Sequence, residues 1–148
     1  MKFFIAGLII VFLDQTSKLL VDFFLVEGTS ISLIPPVLYL TFVKNKGAAF
    51  GLFQNQTVLL IGAFVLALLM VWYYRKQMMK RSNRLKWGVA LALAGALGNF
   101  IDRLRLGAVI DFIDIRIWPI FNLADIAIIC GVALLFWEVL SDGTTSKK

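Results

Sequence analysis

The sequence predicts a membrane protein of mainly α class, with four transmembrane helices, a small extracytoplasmic β-sheet and a short loop helix. Three observations predict it. Of 148 residues, 60% are hydrophobic and 16% are charged, with a mean hydropathy of +0.87, whereas soluble domains are about 45–50% apolar and about 25% charged. Apolar segments long enough to cross a bilayer recur along the chain. Two of the segments between them are rich in β-forming residues and in turn residues.

Four apolar segments are predicted to span the membrane. The clearest is an uninterrupted apolar run at 57–74, which ends in an aromatic pair followed by Arg75 and Lys76. The first segment follows Lys2 as in a signal peptide, but no small-residue cleavage site follows it, so we interpret it as a retained span. We expect one integral-membrane domain over 1–148, with spans at about 3–26, 57–75, 86–104 and 120–140 and outer loops at about 27–56 and 105–119.

The basic residues indicate how the spans are oriented. Nine of the fifteen lysines and arginines lie at the termini or in the central loop, namely Lys2, Arg75, Lys76, Lys80, Arg81, Arg84, Lys86, Lys147 and Lys148. Short loops rich in lysine and arginine stay on the cytoplasmic side. We therefore expect both termini in the cytoplasm and the two other loops outside. The net charge of +6 is then a signal of topology, and no nucleic-acid partner is expected.

The outer loops are predicted to form a small sheet on the membrane surface. Residues 37–43 follow Pro35-Pro36 and alternate loosely, as in a short strand. A second β-rich stretch at 108–118 contains Asp111 and Asp114. We expect these two stretches to pair.

The composition excludes several kinds of catalytic site. The chain has no histidine, which removes Ser-His-Asp, Cys-His and His-metal sites. Its one cysteine, Cys130, lies inside a span and is interpreted as a buried, inert thiol. Ser17 adjoins Lys18, but neighbouring helix residues point apart, which argues against a Ser/Lys pair. We predict no metal and no cofactor, so catalysis would depend on carboxylates, hydroxyls, lysine or the thiol.

Charged residues within spans are the candidates for function, because each costs about 2.5–3.5 kcal/mol at the helix centre. Asp14 and Lys18 lie four apart on one helical face and can form a local pair, whose role is either structural or functional. Asn99, Asp102 and Arg103 share one face at the outer end of the third span. There Asp102 and Arg103 can equally be a snorkelled pair that marks the membrane boundary.

Asp125 is the most informative of these residues. Nothing basic lies within a turn of it, and Asn122 precedes it by three positions. Asp111 offers a second carboxylate in the outer loop. If the two meet in a pocket of low dielectric constant, they share one proton and act on water as base and acid, as aspartic proteases do. The spacing alone does not decide whether they meet, and Asp102 and Asp114 stay open as alternatives.

Five motifs follow one another along the chain: Asp14-Gln15-x-x-Lys18, Asn45-x-Gly47-Ala48-Ala49-Phe50-Gly51, Gly95-Ala96-Leu97-Gly98-Asn99-x-x-Asp102-Arg103, Val109-x-Asp111-Phe112 and Phe121-Asn122-x-Ala124-Asp125-x-x-Ile128. In this order, and in a chain of this length, they resemble the bacterial lipoprotein signal peptidases, or type II signal peptidases, which are four-span aspartyl proteases. One departure is Ala94, where the family usually has the first glycine of a pair. Both small residues permit the same helix packing.

The resemblance implies that Asp111 and Asp125 are the catalytic dyad. It implies a second group that binds substrate or supports the site, namely Asn45, Gly47, Asn99, Arg103, Asn122, Asp14 and Lys18. Within this group, Asp14 and Lys18 would act from the first span. Asp102 looks like a brace for the neighbouring loop.

The resemblance also implies the reaction. The substrate would be a prolipoprotein whose cysteine carries diacylglycerol, cut on the N-terminal side of that cysteine to release the signal peptide. One carboxylate would deprotonate a water, and its protonated partner would donate a hydrogen bond to the developing oxyanion. The implied location is the bacterial cytoplasmic (inner) membrane, with the site at the extracytoplasmic face. The expected partners are this substrate and membrane lipids, and a monomer is expected.

Two other functions stay open on the residues alone. A small four-span transporter would use Asp14 or Asp125 as a proton-coupled binding carboxylate. A bundle-assembly or anchor protein is a weaker alternative. The key acids gather near the outer interface, which favours hydrolysis at the surface over translocation.

Overall fold

The computed structural model describes residues 1–47 and 56–145, and these form four long helices and a three-stranded sheet. The helices are α1 (Lys2–Phe24), α2 (Thr57–Met79), α3 (Asn83–Leu106) and α4 (Leu123–Thr145). The strands are β1 (Ser30–Ile34), β2 (Leu38–Asn45) and β3 (Val109–Asp114).

Three of the described helices are long and apolar enough to cross a membrane: α1, α2, and α4 over Leu123–Ser141. The prediction of a mainly helical membrane protein with a small sheet is confirmed. α3 has similar length, but the charges at its ends and its many alanines and glycines lower its hydropathy, so composition alone does not mark it as a span. The described parts of the two loops predicted to be outer hold strands and turns and no short helix, while residues 48–51 of the second motif lie outside the described residues.

α3 is the central helix and packs against the other three, most closely against α4. The backbones of α3 and α4 meet at small residues. A Cβ on Gly131 would lie 2.5 Å from the backbone nitrogen of Ala92 and 2.6 Å from the carbonyl oxygen of Gly88. Only hydrogen fits there, so the small residues that the sequence concentrates in α3 set the distance between the two helices.

α2 packs mainly against α3. Beside this contact, the rings of Phe64 and Phe100 lie with their centroids 4.6 Å apart. Most side chains of α2 are exposed in the isolated chain, as expected for a helix that faces lipid.

The sheet has the order β1-β2-β3, and both pairs are antiparallel. β2 and β3 occupy the two stretches that the sequence predicts to be strands, whereas β1 was not predicted. The register places Val43 opposite Asp111 and Asn45 opposite Val109. A cluster of Val21, Phe42, Ile110 and Phe112 joins the sheet to the C-terminal end of α1.

The prediction that Cys130 is buried is wrong, because this residue is exposed. The buried residues of α4 include Ala124, Ala127 and Gly131, which are small enough to lie against α3. Cys130 lies on another side of the same helix, and a hydropathy pattern that is apolar all round does not show which side will be covered.

Candidate active site

Asp111 and Asp125 are brought together by β3 and the first turn of α4, and Asn122 joins them. Nδ2 of Asn122 donates to Oδ1 of Asp111 at 2.7 Å, and its backbone N–H donates to Oδ2 of Asp125 at 3.2 Å. The other oxygen of each carboxylate accepts from a further amide. Nδ2 of Asn45 is 2.9 Å from Oδ2 of Asp111, and Nδ2 of Asn99 is 2.8 Å from Oδ1 of Asp125. All four carboxylate oxygens are therefore held in place by amides.

The start of α4 explains why Asp125 points into the site. Oδ1 of Asn122 accepts the backbone N–H of Asp125 at 2.9 Å, while Asp125 accepts the backbone N–H of Asn122. This reciprocal arrangement is a capping box, which satisfies two N–H groups that have no partner within the helix. The helix dipole also favours a negative carboxylate in the first turn. One Asn-x-x-Asp sequence thus begins the helix and orients the carboxylate.

Asp111 lies in a different electrostatic setting. It is 3% exposed, on a strand of the sheet. Its pKa is raised from 3.8 to about 7, first by burial and then by the negative charge of Asp125. Hydrogen bonds from Asn45 and Asn122 and the charge of Lys18 lower this pKa and limit the rise. A carboxyl with this pKa exchanges its proton near neutral pH, as an acid–base catalyst must.

Lys18 forms a buried charge cluster behind the dyad. Its Nζ lies 2.9 Å from Oδ2 of Asp14, 3.0 Å from Oδ2 of Asp102 and 2.9 Å from Oδ1 of Asn99. The local pair of Asp14 and Lys18 that the spacing allows is therefore present. Asp102 faces α1 and pairs with Lys18, so the interpretation of Asp102 and Arg103 as a boundary pair is wrong. Burial of charge is tolerated here because each ion has charged or hydrogen-bonding partners.

Arg103 holds the end of β2 against α3. Its Nη2 donates to the carbonyl oxygen of Gly47 at 2.8 Å, and its Nη1 donates to the carbonyl oxygen of Asn99 at 3.3 Å. The backbone N–H of Gly47 donates to Oδ1 of Asn45 at 2.9 Å, which leaves the amide nitrogen of Asn45 free to reach Asp111. Arg103 thus fixes the turn that carries a donor to the dyad.

The dyad opens into a cavity of about 940 Å³ between α2, α3, α4 and the sheet. Its polar end contains Asn45, Gly47, Asn99, Arg103, Asp111 and Asp125. Its apolar walls include Ala63 and Ala67 on α2, Ala96 on α3 and Ile128 on α4. Asp14, Lys18 and Asn122 do not line this cavity and support it from behind. The arrangement combines a few fixed polar groups with an apolar cleft, as in binding sites for ligands that are mostly apolar.

Sequence reasoning missed two contributions to the site. Gln15 donates from Nε2 to both Asp14 and Asp102, each at 3.1 Å, and so links the two carboxylates that Lys18 neutralises. Trp118 and Pro119 also line the cavity. The signals for Gln15 were its polar side chain within a predicted span and its position in the first motif.

Two alternatives drawn from the sequence lie outside the site. Asp114 accepts from Oγ1 of Thr41 and from the backbone N–H of Arg116, both at 2.8 Å, and does not line the cavity. Ser17 donates from Oγ to the carbonyl oxygen of Asp14 at 2.8 Å and has no contact with the Lys18 ammonium group among the described residues.

The chain is similar to named proteins over nearly its whole length. A protein-family model described as "Signal peptidase (SPase) II" matches residues 6–141. A lipoprotein signal peptidase of Pelotomaculum thermopropionicum is 42% identical, and the alignment covers 100% of this chain and 97% of that protein. A lipoprotein signal peptidase of Moorella thermoacetica is also 42% identical, with 95% of this chain and 93% of that protein covered.

Solved structures show the same fold. A bacterial membrane enzyme determined by the in meso method at 2.3 Å resolution superposes with a TM-score of 0.90 at 32% identity, covering 99% of this chain and 92% of that one. A second, at 1.9 Å resolution, gives a TM-score of 0.86 at 32% identity, covering 95% of this chain and 94% of that one. With the sequence matches, these similarities show that the chain belongs to the signal peptidase II family.

Proposed function

We propose that this chain is a membrane aspartic endopeptidase that removes the signal peptide from prolipoproteins, with Asp111 and Asp125 as its catalytic dyad. The observation that carries the proposal is the placement of the two carboxylates, joined through Asn122 at the polar end of an apolar cleft. Membership of the family and the names of the relatives support the reaction.

The two carboxylates lie in different environments and therefore take different parts in the proton transfers. Asp125 lies in the first turn of α4, where the helix dipole and an N–H group favour the ionised form. Asp111 has a pKa of about 7 and holds the shared proton more readily. Asp125 therefore accepts a proton from the water that attacks the scissile carbonyl carbon, while Asp111 donates its proton to the carbonyl oxygen. Collapse of the tetrahedral intermediate breaks the C–N bond as Asp125 passes its proton to the leaving amine, and the hydroxyl proton returns to Asp111.

The shape of the cavity supports a lipid-modified substrate. Its apolar walls lie on α2, α3 and α4, of which α2 and α4 are long and apolar enough to cross a membrane. A diacylglyceryl group on the cysteine after the scissile bond would remain in an apolar environment there, while the peptide bond reaches the carboxylates. We infer cleavage on the N-terminal side of that lipidated cysteine, with membrane lipids as the other partner.

The proposed membrane topology rests on the distribution of the basic residues and on the length of α3. With 24 residues, α3 is about 36 Å long, enough to cross a hydrocarbon core of about 30 Å. Its Asp102 is buried against Lys18, so lipid does not meet that carboxylate. We infer four spans in one domain over 1–148, with both termini in the cytoplasm and the site at the extracytoplasmic face of the bacterial inner membrane. We also infer that the protein acts as a monomer, without nucleic acid.

Cleavage of a purified prolipoprotein tests the proposal directly. The protein in lipid vesicles is incubated with the diacylglyceryl-modified substrate and, separately, with the unmodified form. We expect cleavage of the modified form alone, and loss of turnover in Asp111→Asn and in Asp125→Asn. Glu138→Gln, a carboxylate at the opposite end of α4 whose nearest cation is Arg84, is the control and should remain active. Near-normal turnover in either aspartate variant would overturn the dyad assignment.

A further inference from the structure

Lys18 is the most completely buried cation of the described residues, at 1% exposure. It does not line the cavity and has no part in the proton transfers described above. Its three contacts are all acceptors, one each on Asp14, Asp102 and Asn99. An ammonium group has three N–H donors and no acceptor, so these contacts use it fully.

The contact with Asn99 determines which way that amide faces. Because the ammonium group can only donate, the atom of Asn99 that lies 2.9 Å from it must be the carbonyl oxygen. Asn122 donates to the same oxygen at 3.1 Å. The NH₂ group of Asn99 is thereby turned toward Asp125, to which it donates at 2.8 Å. A reversed amide would present an oxygen to a carboxylate, which is repulsive.

The two carboxylates of the cluster hold the backbone beside each aspartate of the dyad. Oδ1 of Asp14 accepts the N–H of Ala124 at 2.9 Å, one residue before Asp125. Oδ2 of Asp102 accepts the N–H of Ile110 at 3.2 Å, one residue before Asp111. A single cation therefore lies between two anchors that fix α4 and β3 relative to each other.

We propose that Lys18 is a positioning residue for the peptidase reaction: through Asn99, Asp14 and Asp102 it fixes the orientation and separation of the Asp111 and Asp125 carboxylates. This inference rests on the proposed function and deepens it. Lys18 touches no substrate, so its loss acts on the catalytic step and leaves substrate binding intact. A misplacement of about 1 Å at reacting groups is enough to cost about 100-fold in rate.

The charges around Lys18 allow a second readout. Asp14 on α1 and Asp102 on α3 form ion pairs with Lys18, and Asp111 on β3 and Asp125 on α4 lie close enough to interact with its charge. The positive charge of Lys18 lowers the pKa of Asp111. Its removal should therefore move the alkaline limb of the kcat profile to higher pH. Because kcat is taken per folded molecule at each pH, a loss of folding alone would leave the position of this limb unchanged.

A double-mutant cycle tests the inference, with Lys18→Met, Asn99→Ala and their combination assayed on the diacylglyceryl-modified prolipoprotein. We expect kcat per folded molecule to fall by about 100-fold in Lys18→Met, with KM changed by less than about twofold. The fall in kcat of the combined variant should be much smaller than the product of the two single falls. Lys18→Met lets the Asn99 amide turn and Asn99→Ala removes that amide, so either change alone already loses its fixed contact with Asp125. Losses that simply multiply, or an unchanged kcat in Lys18→Met, would overturn the inference.

A charge-balanced variant covers the case in which Lys18→Met does not fold. Lys18→Met with Asp102→Asn removes one cation and one anion, and an asparagine oxygen can still accept the Ile110 N–H. We expect this variant to fold and to lose kcat, whereas full kcat would overturn the inference.

Glu138→Gln, which removes a buried carboxylate far from the dyad, should leave kcat and its pH profile unchanged. The wild type and the two dyad variants report on the proposed function itself, so its failure is seen separately.

Discussion

Asn122 and Asp125 cap one another: the side-chain oxygen of each accepts the backbone N–H of the other, at 2.9 Å and 3.2 Å. The same Asn122 donates its amide to Asp111 at 2.7 Å. The first turn of α4 and the geometry of the dyad therefore depend on one side chain, and substitutions can separate its two roles.

Asn122→Ser should keep the helix cap and lose turnover. Serine is a good N-cap residue but has no amide to donate to Asp111. Asn122→Ala should lose both, with the free energy of unfolding lowered by about 1 kcal/mol through the lost cap. Thermal unfolding in detergent and kcat on the prolipoprotein measure the two effects. Full turnover in the serine variant would show that the amide bridge is dispensable.

Asp111→Asn should change how stability depends on pH. In the unfolded chain Asp111 releases its proton near its ordinary pKa of 3.8, whereas in the folded protein it does so at about 7. Its contribution to stability is thus fully present below about pH 4 and is lost as the pH rises through about 7. Asparagine stays neutral, so we expect the Tm of the variant, relative to wild type, to rise between about pH 4 and pH 8. Curves that stay parallel would contradict the raised pKa.

Asn45→Asp should shift the pH dependence of turnover. The change replaces the amide that lies 2.9 Å from Asp111 with a carboxyl group. Loss of this donor and the added negative charge both raise the pKa of Asp111, which moves the alkaline limb of kcat/KM above about pH 7. Asn45→Ala removes the donor without adding a charge and should give a smaller shift in the same direction. A shift toward lower pH in either variant would be inconsistent with this contact.

Gly95→Ala should destabilise the packing of α3 on α4. A Cβ there would collide with the carbonyl oxygen of Ala124 and lie 3.0 Å from the backbone nitrogen of Ile128. Backbone atoms cannot move aside as a side chain can, so we expect a loss of about 1–3 kcal/mol in the free energy of unfolding. Gly62→Ala is the matched control, because nothing lies within 4 Å of its added Cβ. Equal stability of both variants would show that the helices are free to separate.

The helices and two of the strands could be predicted from the sequence, because hydropathy and alternation are local properties. β1 could not, since its five residues are all exposed and it is defined by pairing with β2. The local sequence also does not show which face of α4 meets α3. This is why Cys130 was wrongly expected to be buried.

For the site, the sequence showed which polar residues were costly in a membrane but not which of them meet. The spacing of Asp14 and Lys18 predicted one ion pair, whereas the second partner, Asp102, comes from another helix. The choice of Asp111 over Asp114 came from family resemblance. The structure gives a physical reason for their difference, because the register of β3 on β2 places Asp111 opposite Val43, near Asn45, and Asp114 opposite Tyr39.

The limited packing of α2 has a consequence for how this enzyme can diversify. The contacts that fix the dyad join α1, α3, α4, β2 and β3. Among the described residues, α2 supplies a cavity wall with Ala63 and Ala67 and contributes none of the hydrogen bonds around the carboxylates. The width of the cleft and the chemistry at its end are thus encoded by separate residues. Substitutions in α2 can change which signal peptides fit the cleft without changing the positions of the Asp111 and Asp125 carboxylates.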